Sequence, residues 1–498
     1  MRITNRMMTN NMLGNINKNK LNVYNLEQQY STGKKIQKPS DDPIVAIRAL
    51  KLRTNLTELE QYYGKNIPDA DSWMDLTEGA LKTINSLLKQ INSDCVQGTT
   101  DTLTAENREA IVKNLLEMKN QIYQEGNTNY AGRYVFTGYK TDSSLTFMET
   151  VRNLEYKITE KLRGDQIQSA SKLSGGYELK DYDDPGVTFD ESPKLKNIYR
   201  LKLSYDKLEN TAIGSISYSK PAVGGGSVAQ PPFTDIRTKS MHDTDAYDVA
   251  DDEIHFIHET GELIFGKNAY EEFRLADNIE VSYEKKSFEK GELKPEHYFD
   301  CEVYDSKKPE LGTIKYTKER QEIRYEIDYN QKLVINTEGS DAISHKIGRD
   351  IDEILNCVND VIHTEDKIAE IKKRMEDPNL GPDDVLRYEK MLMQLDTELV
   401  LKKELMQEAF GRGITSSNKE QDRVNLASAD LGSRHFRLNL TEDRMSSQRV
   451  DLKELLSNNE DANMTDTLIN FYSAQLIYNS SLSAAAKVVQ NSLLDFIR

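Results

Sequence analysis

Cysteine, tryptophan and long apolar runs are scarce in this chain of 498 residues. It has 3 cysteines and 1 tryptophan. Cys95, Cys301 and Cys357 are odd in number and widely spaced, so they form neither a metal-ligand motif nor a disulfide framework. No apolar run approaches the roughly 20 residues of a membrane span. We therefore expect neither a disulfide scaffold nor a membrane partner.

Basic residues are outnumbered by acidic ones. The chain has 65 Lys and Arg against 82 Asp and Glu, a net charge of −17. Because nucleic-acid binding requires clustered cations, we expect no nucleic-acid partner. The N-terminus has neither the apolar stretch nor the small-residue cleavage site of a secretory signal, so we expect no cleaved signal peptide. A chain of this length exceeds one ordinary core, which predicts two or more domains.

The most regular feature is a seven-residue repeat between residues 45 and 91. Two columns recur every seven positions, and all their members except Asn66 and Thr77 are apolar. Only a helix aligns such residues on one side, and a heptad repeat predicts that this side packs against another helix. The two columns are Val45, Leu52, Leu59, Asn66, Trp73, Ala80 and Leu87, and Ala49, Leu56, Tyr63, Ala70, Thr77, Ile84 and Ile91.

The start of this helix is marked by residues that favour a helix N-terminus. Ser40 and Asp41 are suitable N-cap residues, and Pro43 is tolerated in a first turn. Pro68 lies inside the repeat, where it removes a backbone donor. Either the helix kinks there or Asn66 caps a second helix. Because the columns continue across the proline, we favour a kink.

Apolar residues at helical spacing predict further helices before residue 130 and after residue 340. Thr104 is a suitable N-cap for the first of them, which should end near Gly126. We interpret segments 378–382 and 411–413 as breaks between the later helices. The apolar positions are Ile111, Leu115, Met118 and Ile122; Ile347, Ile351, Ile354, Val358 and Val361; Val385, Tyr388, Leu392, Leu395, Leu399 and Met406; and Val424, Leu431, Leu438, Met445 and Leu452.

Residues 142–338 have a different pattern. Short alternating or β-branched runs are separated by turn signals, which is typical of an all-β domain. Gly224, Gly225 and Gly226 should form an exposed loop. The predicted strands are 154–158, 199–203, 254–257, 262–265, 279–283, 298–303, 313–316, 323–327 and 332–335.

The two chain ends carry weaker helical repeats. Asparagine is frequent in the first segment and is a poor helix former. In the last helix, Gln475 and Asn479 fall on the same predicted face as Tyr472. Such helices need partners to cover their apolar faces, so we predict that they form an assembly interface. Its predicted residues are Met12, Ile16, Val23, Leu26, Leu482, Val489, Leu493 and Phe496.

The arrangement is therefore nested, with helices at both ends around a β insert. This predicts an α+β fold in which both chain ends form a long helical coiled-coil rod and an all-β outer domain is inserted. The predicted domains are a terminal assembly region (1–42 with 457–498), a helical rod domain (43–141 with 339–456) and an outer insert (142–338).

Several stretches of the sequence resemble, in order, those of the bacterial flagellin family. MRITNRMM opens the chain, KPSDDPIVAIRALKLRTNL (38–56) is similar to that family's entry into its rod domain, and NTNYAGRYVFTGYKT (127–141) is similar to the exit from it. DLGSRHFRL (430–438) and YNSSLSAAAKVVQNSLLDFIR (478–498) resemble the returning helices. The PSDDP segment, the GRYVFTGY exit and the LLDF ending favour members at the hook–filament junction over filament flagellin.

The resemblance implies a structural subunit of the extracellular bacterial flagellum. Such a subunit would be exported unfolded through the flagellar type III channel, with an export chaperone. Its partners would be other copies of itself in a ring, hook-associated protein 1 and flagellin. Two alternatives stay open: the filament flagellin itself, or a flagellin-like rod displaying an adhesin or enzymatic β module.

Few residues indicate a catalytic, metal-binding or phosphate-binding site. His255 and His258 lie in a strand-like segment, where this spacing directs them to opposite faces, unlike a helical zinc motif. The segment with Asp243, Asp245 and Asp248 lacks the glycine and closing glutamate of a calcium loop. We therefore interpret it as a solvated acidic loop. The glycine triplet lacks the lysine of a phosphate-binding loop. We therefore expect no enzyme and no catalytic, cofactor-binding or metal-ligating residues.

Overall fold

The computed structural model describes residues 5–100, 103–184, 186–222, 224–241, 243, 245–377 and 381–496. Long helices lie toward both chain ends. In chain order the α-helices are α1 (Asn5–Thr32), α2 (Pro43–Gln61), α3 (Ile67–Gly98), α4 (Ala105–Glu125), α5 (Leu179–Asp183), α6 (Lys267–Phe273), α7 (Gly339–Ala342), α8 (His345–Met375), α9 (Pro382–Glu460) and α10 (Met464–Phe496).

The strands lie between α4 and α7. In chain order they are β1 (Asn129–Tyr130), β2 (Arg133–Tyr134), β3 (Leu154–Leu162), β4 (Gln168–Ser174), β5 (Lys194–Lys202), β6 (Ser217–Pro221), β7 (Ser227–Ala229), β8 (Ile236–Lys239), β9 (Ile254–Ile257), β10 (Glu262–Phe265), β11 (Asn278–Lys285), β12 (Asp300–Asp305), β13 (Thr313–Tyr316), β14 (Arg324–Asp328) and β15 (Gln331–Val334). This arrangement confirms the predicted α+β class, with helices from both ends and a β-rich insert.

The chain divides into two compact units. The first contains Met1–Asp69, Tyr325–Leu333 and Phe436–Arg498, and the second contains Ala70–Arg324 and Val334–His435. The helices α3 and α9 each contribute residues to both units. The three-domain division made from the sequence stays a prediction.

Pro68 is accommodated by a change of helix type just before it. A π-helical segment, Tyr62–Asn66, links α2 to α3, and Ile67 N–H donates to the Tyr62 carbonyl. In a regular α-helix the proline ring would collide with the carbonyl four residues earlier. The wider π turn moves that carbonyl away, so the chain stays helical through Pro68 and Asn66 does not cap a separate helix. Asp42, rather than the predicted Ser40 or Asp41, caps α2 by accepting from Ile44 N–H and Val45 N–H.

The heptad columns face inward as predicted. None of their members is exposed, and the α3 part is the most deeply buried. α4 begins at the predicted cap, where Thr104 accepts from Asn107 N–H, and it packs on α8. The predicted apolar positions of both helices are buried, among them Leu115, Ile351 and Val358.

One predicted helix break is wrong. α9 runs without interruption from Pro382 to Glu460, through Gly411 and Gly413. A β-carbon at Gly413 would lie 2.8 Å from Ile354 Cδ1 and 3.0 Å from Cys95 Sγ. This glycine therefore allows three helices to approach closely and does not end one. The predicted break near 378–382 does separate α8 from α9, although Pro378 lies outside the described residues.

The insert consists mainly of two antiparallel sheets around one core. A five-stranded sheet has the order β4-β5-β10-β9-β8, and a six-stranded sheet has the order β13-β12-β3-β11-β6-β7. Only the β8–β9 pair of these sheets is parallel among the described residues. Apolar residues of both sheets form the shared core, including Ile158, Val281, Phe256 and Leu263. All predicted strands are present.

Four strands of the insert were not predicted from the sequence, namely β4, β6, β7 and β8. The predicted glycine loop lies between β6 and β7, which pair in register. Gly225 and Gly226 adopt positive φ of 89° and 87°, so this segment is the turn of a hairpin. The predicted exposed loop is correct. The flanking strands were missed because β6 has few apolar residues and β7 has only 3 residues.

Candidate assembly surface

The chain ends meet in the first unit, where α1 packs against α10. The segment that follows α1 is also joined by backbone hydrogen bonds to the segment that precedes α10. Ala462 N–H donates to the Gly33 carbonyl at 2.8 Å, and Lys35 N–H donates to the Glu460 carbonyl at 2.7 Å. Gly33 has a φ of 70°, which a glycine adopts without strain as α1 ends. The N-terminal and C-terminal segments are thereby held side by side.

A buried carboxylate fixes this junction. Glu460 has only 4% of its side chain exposed and accepts from Arg53 at 2.6 Å and Lys34 at 3.3 Å. Lys34 also pairs with Asp461 at 2.5 Å. Burial raises the pKa of Glu460, but the hydrogen bonds from the two cations outweigh it and leave that pKa below its ordinary value. The carboxylate is therefore charged at neutral pH and joins the segments before α2 and α10.

The predicted interface residues of α1 lie on its covered side. Ile16 is buried, and Met12, Val23 and Leu26 are half-buried. Ile16 is the single large apolar side chain of α1 that is classed as buried among the described residues, with 9% exposed. The pairing of α1 with α10 therefore buries few large apolar groups.

The predicted face of α10 is not buried within the chain, and its role as an assembly interface stays a prediction. Tyr472, Gln475, Asn479 and Leu482 are all exposed, Leu482 by 42%. The covered positions are offset by one residue and include small or polar groups, which the search for apolar periodicity missed. They are Thr467, Phe471, Ala474, Tyr478, Ser481 and Ala485. Val489, Leu493 and Phe496 belong to α10, but their side chains lie outside the described part of the structure.

The outward faces of three helices of this unit carry large apolar residues. On α10, Ile469, Tyr472 and Leu476 follow a spacing of three and four and are 58%, 62% and 69% exposed. A spacing of this kind places them on one side of the helix. Other exposed residues of the same kind are Leu13, Leu21 and Tyr24 on α1, and Ile44, Ile47 and Leu50 on α2.

The residues on α2 were missed by the sequence analysis. Ile44, Ile47 and Leu50 recur every three positions, so they share one side of the helix. They lie off both heptad columns. A search for apolar residues outside the columns could have found them. We call the exposed apolar residues of α1, α2 and α10 the apolar outer face. Large contiguous apolar patches on a protein surface mark interaction sites.

The other candidate residues are explained by local structure. His255 is buried in β9, and its Nδ1 lies 2.9 Å from the Ala246 carbonyl oxygen. Asp245 pairs with Lys239 at 2.7 Å, and Asp243 accepts from Ser240 N–H. These contacts give the side chains structural roles in the insert. In the part of the chain that the structure describes, no helix has both the length and the apolarity required to cross a bilayer.

A family comparison identifies the N-terminal part of the chain. Residues 3–141 match the bacterial flagellin N-terminal helical region. This range extends from α1 through α4 and the β1–β2 hairpin. The flagellin resemblance is thereby confirmed for this region.

Curated relatives also come from the flagellum. The chain is 30% identical over 178 residues to flagellar hook-associated protein 3 of Salmonella typhimurium strain LT2, covering 36% of this chain and 55% of the relative. It is 28% identical over 145 residues to the protein of the same name from Escherichia coli K12, covering 29% and 45%. A flagellin of Clostridium tyrobutyricum is 30% identical over 126 residues, covering 25% and 33%. The chain thus spans about half the length of the hook-associated relatives it matches.

Solved structures of similar proteins include FlgL of Xanthomonas campestris, with 10% identity, a TM-score of 0.32 and coverage of 82% of this chain and 99% of that one. The flagellar junction protein FlgL of Legionella pneumophila has 12% identity, a TM-score of 0.27 and coverage of 79% and 99%. Both TM-scores are below 0.5, so the relation to hook-associated proteins rests on the sequence relatives alone.

Proposed function

We propose that this chain, which has the flagellin N-terminal helical region and is related to flagellar hook-associated protein 3, is a structural subunit that joins the flagellar hook to the filament. In this role it forms a ring at the end of the hook and serves as the platform on which flagellin assembles. The function is mechanical and requires no catalysis.

The apolar outer face is the observation that supports this proposal. Leu476 is 69% exposed and Ile44 is 71% exposed, although full burial of such a side chain stabilises by roughly 1.5–3 kcal/mol. Neighbouring subunits in an axial structure could cover these residues. The predicted assembly interface, with Leu482, Val489, Leu493 and Phe496, continues along α10. These four residues remain part of the proposal.

The partners follow from the proposed position. One side of the ring would contact hook-associated protein 1, and the other would contact flagellin. An export chaperone would cover the apolar terminal helices before secretion through the flagellar type III channel. The subunit would act outside the cell. The predicted three-domain division fits this role, since the terminal region would supply the assembly contacts.

The experiment is complementation of cells that lack the gene for this chain. One variant removes residues 481–498, and a second changes Tyr472 and Leu476 to Ser on the outer face of α10. A matched control changes Gln475 to Ser on the same helix. Both test variants should be secreted, but cells carrying them should shed flagellin into the medium and lack filaments. The control should restore motility.

Folding and position are checked separately. Melting of the purified variant with Tyr472 and Leu476 changed to Ser should stay close to that of the parent chain, because both side chains are exposed. Immunogold labelling should place the protein in a band at the distal end of the hook. Normal filaments on cells with both test variants would reject the interface. Label along the whole filament would instead support the alternative of a filament flagellin.

A further inference from the structure

Three carboxylates and one histidine meet on two helices that are far apart in the sequence. Asp71, Asp75 and Glu78 have a spacing of four and three on α3, so they share one side of that helix. His435 of α9 lies against this side. All of these residues belong to the second compact unit.

Both ring nitrogens of His435 point toward carboxylates. Nε2 lies 2.7 Å from Asp71 Oδ1 and 3.8 Å from Asp75 Oδ1. Nδ1 lies 3.8 Å from Glu78 Oε2. One ligand atom from each of Asp71, Asp75 and His435 lies within 4.8 Å of the others. Three ligand atoms at this separation can converge on one metal ion.

We propose that Asp71, Asp75 and His435 bind a divalent transition-metal ion of the zinc class. His435 Nε2 would supply the nitrogen ligand, and each aspartate would supply one oxygen. Such a donor set suits Zn²⁺ and Co²⁺, whereas Mg²⁺ and Ca²⁺ prefer oxygen alone.

Glu78 completes the arrangement from the other side of the ring. A metal-bound histidine usually donates its second N–H to a carboxylate, which fixes the ring and makes it a better ligand. Glu78 is on the correct side of His435 to accept from Nδ1–H. It is held there by Lys82, whose Nζ is 2.5 Å from Glu78 Oε1. Glu78 is therefore a positioning residue.

The neighbouring charges favour a cation at this place. Arg434 precedes the histidine, but its guanidinium pairs with Asp430 at 2.8 Å and donates to the Asn336 carbonyl at 2.7 Å. Asp75 keeps 61% of its side chain exposed, which leaves access from solvent. The side chain of His435 is 19% exposed and is held between the helices.

The same atoms can form a simple ion pair in which a protonated His435 donates to Asp71. A metal ion would replace that proton and link α3 to α9 through three bonds. The two states are distinguished by direct measurement of metal binding.

The experiment is zinc titration of the full chain after treatment with a chelator. Isothermal titration at neutral pH should show one tight equivalent of Zn²⁺. His435→Gln and Asp75→Asn should each abolish that equivalent, and Glu78→Gln should weaken it by roughly 10–100-fold. The matched control is His363→Gln on α8, because His363 is exposed and outside the cluster; it should bind as the parent does.

A second readout addresses folding. Asp75 is mostly exposed, so Asp75→Asn should melt like the parent without metal and should lose the stabilisation that added Zn²⁺ gives the parent. Co²⁺ bound to the parent should show visible absorption that His435→Gln lacks. If the parent binds no stoichiometric Zn²⁺, or His435→Gln binds it equally well, the site is an ion pair only and the proposal is wrong.

Discussion

The ring of Phe410 lies directly against the backbone of Gly98, where α3 ends beside α9. A β-carbon at position 98 would be 2.6 Å from Phe410 Cδ1. The phenylalanine is fully buried, so its ring has little room to move. Phe410 can therefore pack this closely only because residue 98 is a glycine, which has no side chain.

Gly98→Ala should lower the free energy of unfolding by about 1–3 kcal/mol, because the added methyl group overpacks the site. Urea unfolding followed by circular dichroism measures this loss. The control is Gly79→Ala in the same helix, where a β-carbon would have nothing within 4 Å. It should stabilise by about 0.5–1 kcal/mol. Equal effects of the two substitutions would contradict the packing argument.

Removal of the Glu353 charge should destabilise the second unit. Glu353 pairs with Arg200 at 2.8 Å, with Arg412 at 2.9 Å and with Lys202, joining β5 to α8 and α9. Arg200 has only 1% of its side chain exposed. Glu353→Gln should cost about 1–3 kcal/mol, because it removes the carboxylate that three cations share and leaves Arg200 with Glu262 and Lys202 with Asp350. Chemical unfolding measures the difference.

The matched control is Glu365→Gln on the same helix. Glu365 pairs with Lys403 at 3.0 Å, and both side chains are more than one-third exposed. An exposed pair contributes about 0–1 kcal/mol. If both glutamine variants unfolded at the same urea concentration, the buried network would not be structurally important.

The heptad columns predict that truncation of Ile84 strongly lowers the free energy of unfolding. This side chain is 1% exposed in α3. Ile84→Ala should cost about 2–5 kcal/mol, through lost burial and the cavity that remains. Lys82→Ala, two residues away with 73% of its side chain exposed, should stay within about 0.5 kcal/mol. Thermal melting of both variants would show whether the columns form the core.

Acid should loosen the junction between α1 and α10. Hydrogen bonds from Lys34 and Ser457 lower the pKa of Asp461, and the pKa of Glu460 is lowered as well. A lowered carboxyl pKa stabilises the fold above the unfolded value, about 4, and this contribution is lost as the pH falls through the folded-state value. The raised pKa of Lys34 matters only in strong alkali.

Hydrogen exchange measures this change at two amides. Lys35 N–H and Ala462 N–H donate across the junction, so their protection factors, corrected for intrinsic rates, should fall as the pH drops from 7 to about 3. Asp461→Asn should reduce protection at pH 7 and flatten the acid dependence. Unchanged protection of both amides in acid would show that the carboxylates do not hold the junction.

The sequence by itself determined the helices, most strands and the nested order of the chain. Heptad spacing located the core of α3, and Ile84 is buried as that spacing predicts. Short alternating or β-branched runs predicted β9 and β10 at their observed bounds. These features depend on periodicity among residues close in the chain, which a single sequence displays. The flagellin resemblance also rests on such local stretches.

The tertiary structure decided what lies against each face. Gly413 looked like a helix break, but it lies inside α9 because Cys95 and Ile354 pack against it. The covered side of α10 carries Ala474 and Ser481, while Leu476 is exposed. Small and polar residues give little hydrophobic signal, so their burial depends on the partner helix.

The cluster around His435 shows most clearly what local sequence patterns do not predict. Asp71 and His435 are 364 positions apart, and no local pattern relates them. Their meeting depends on the register between α3 and α9. That register is set by the packing of two long helices, which is a property of the folded chain.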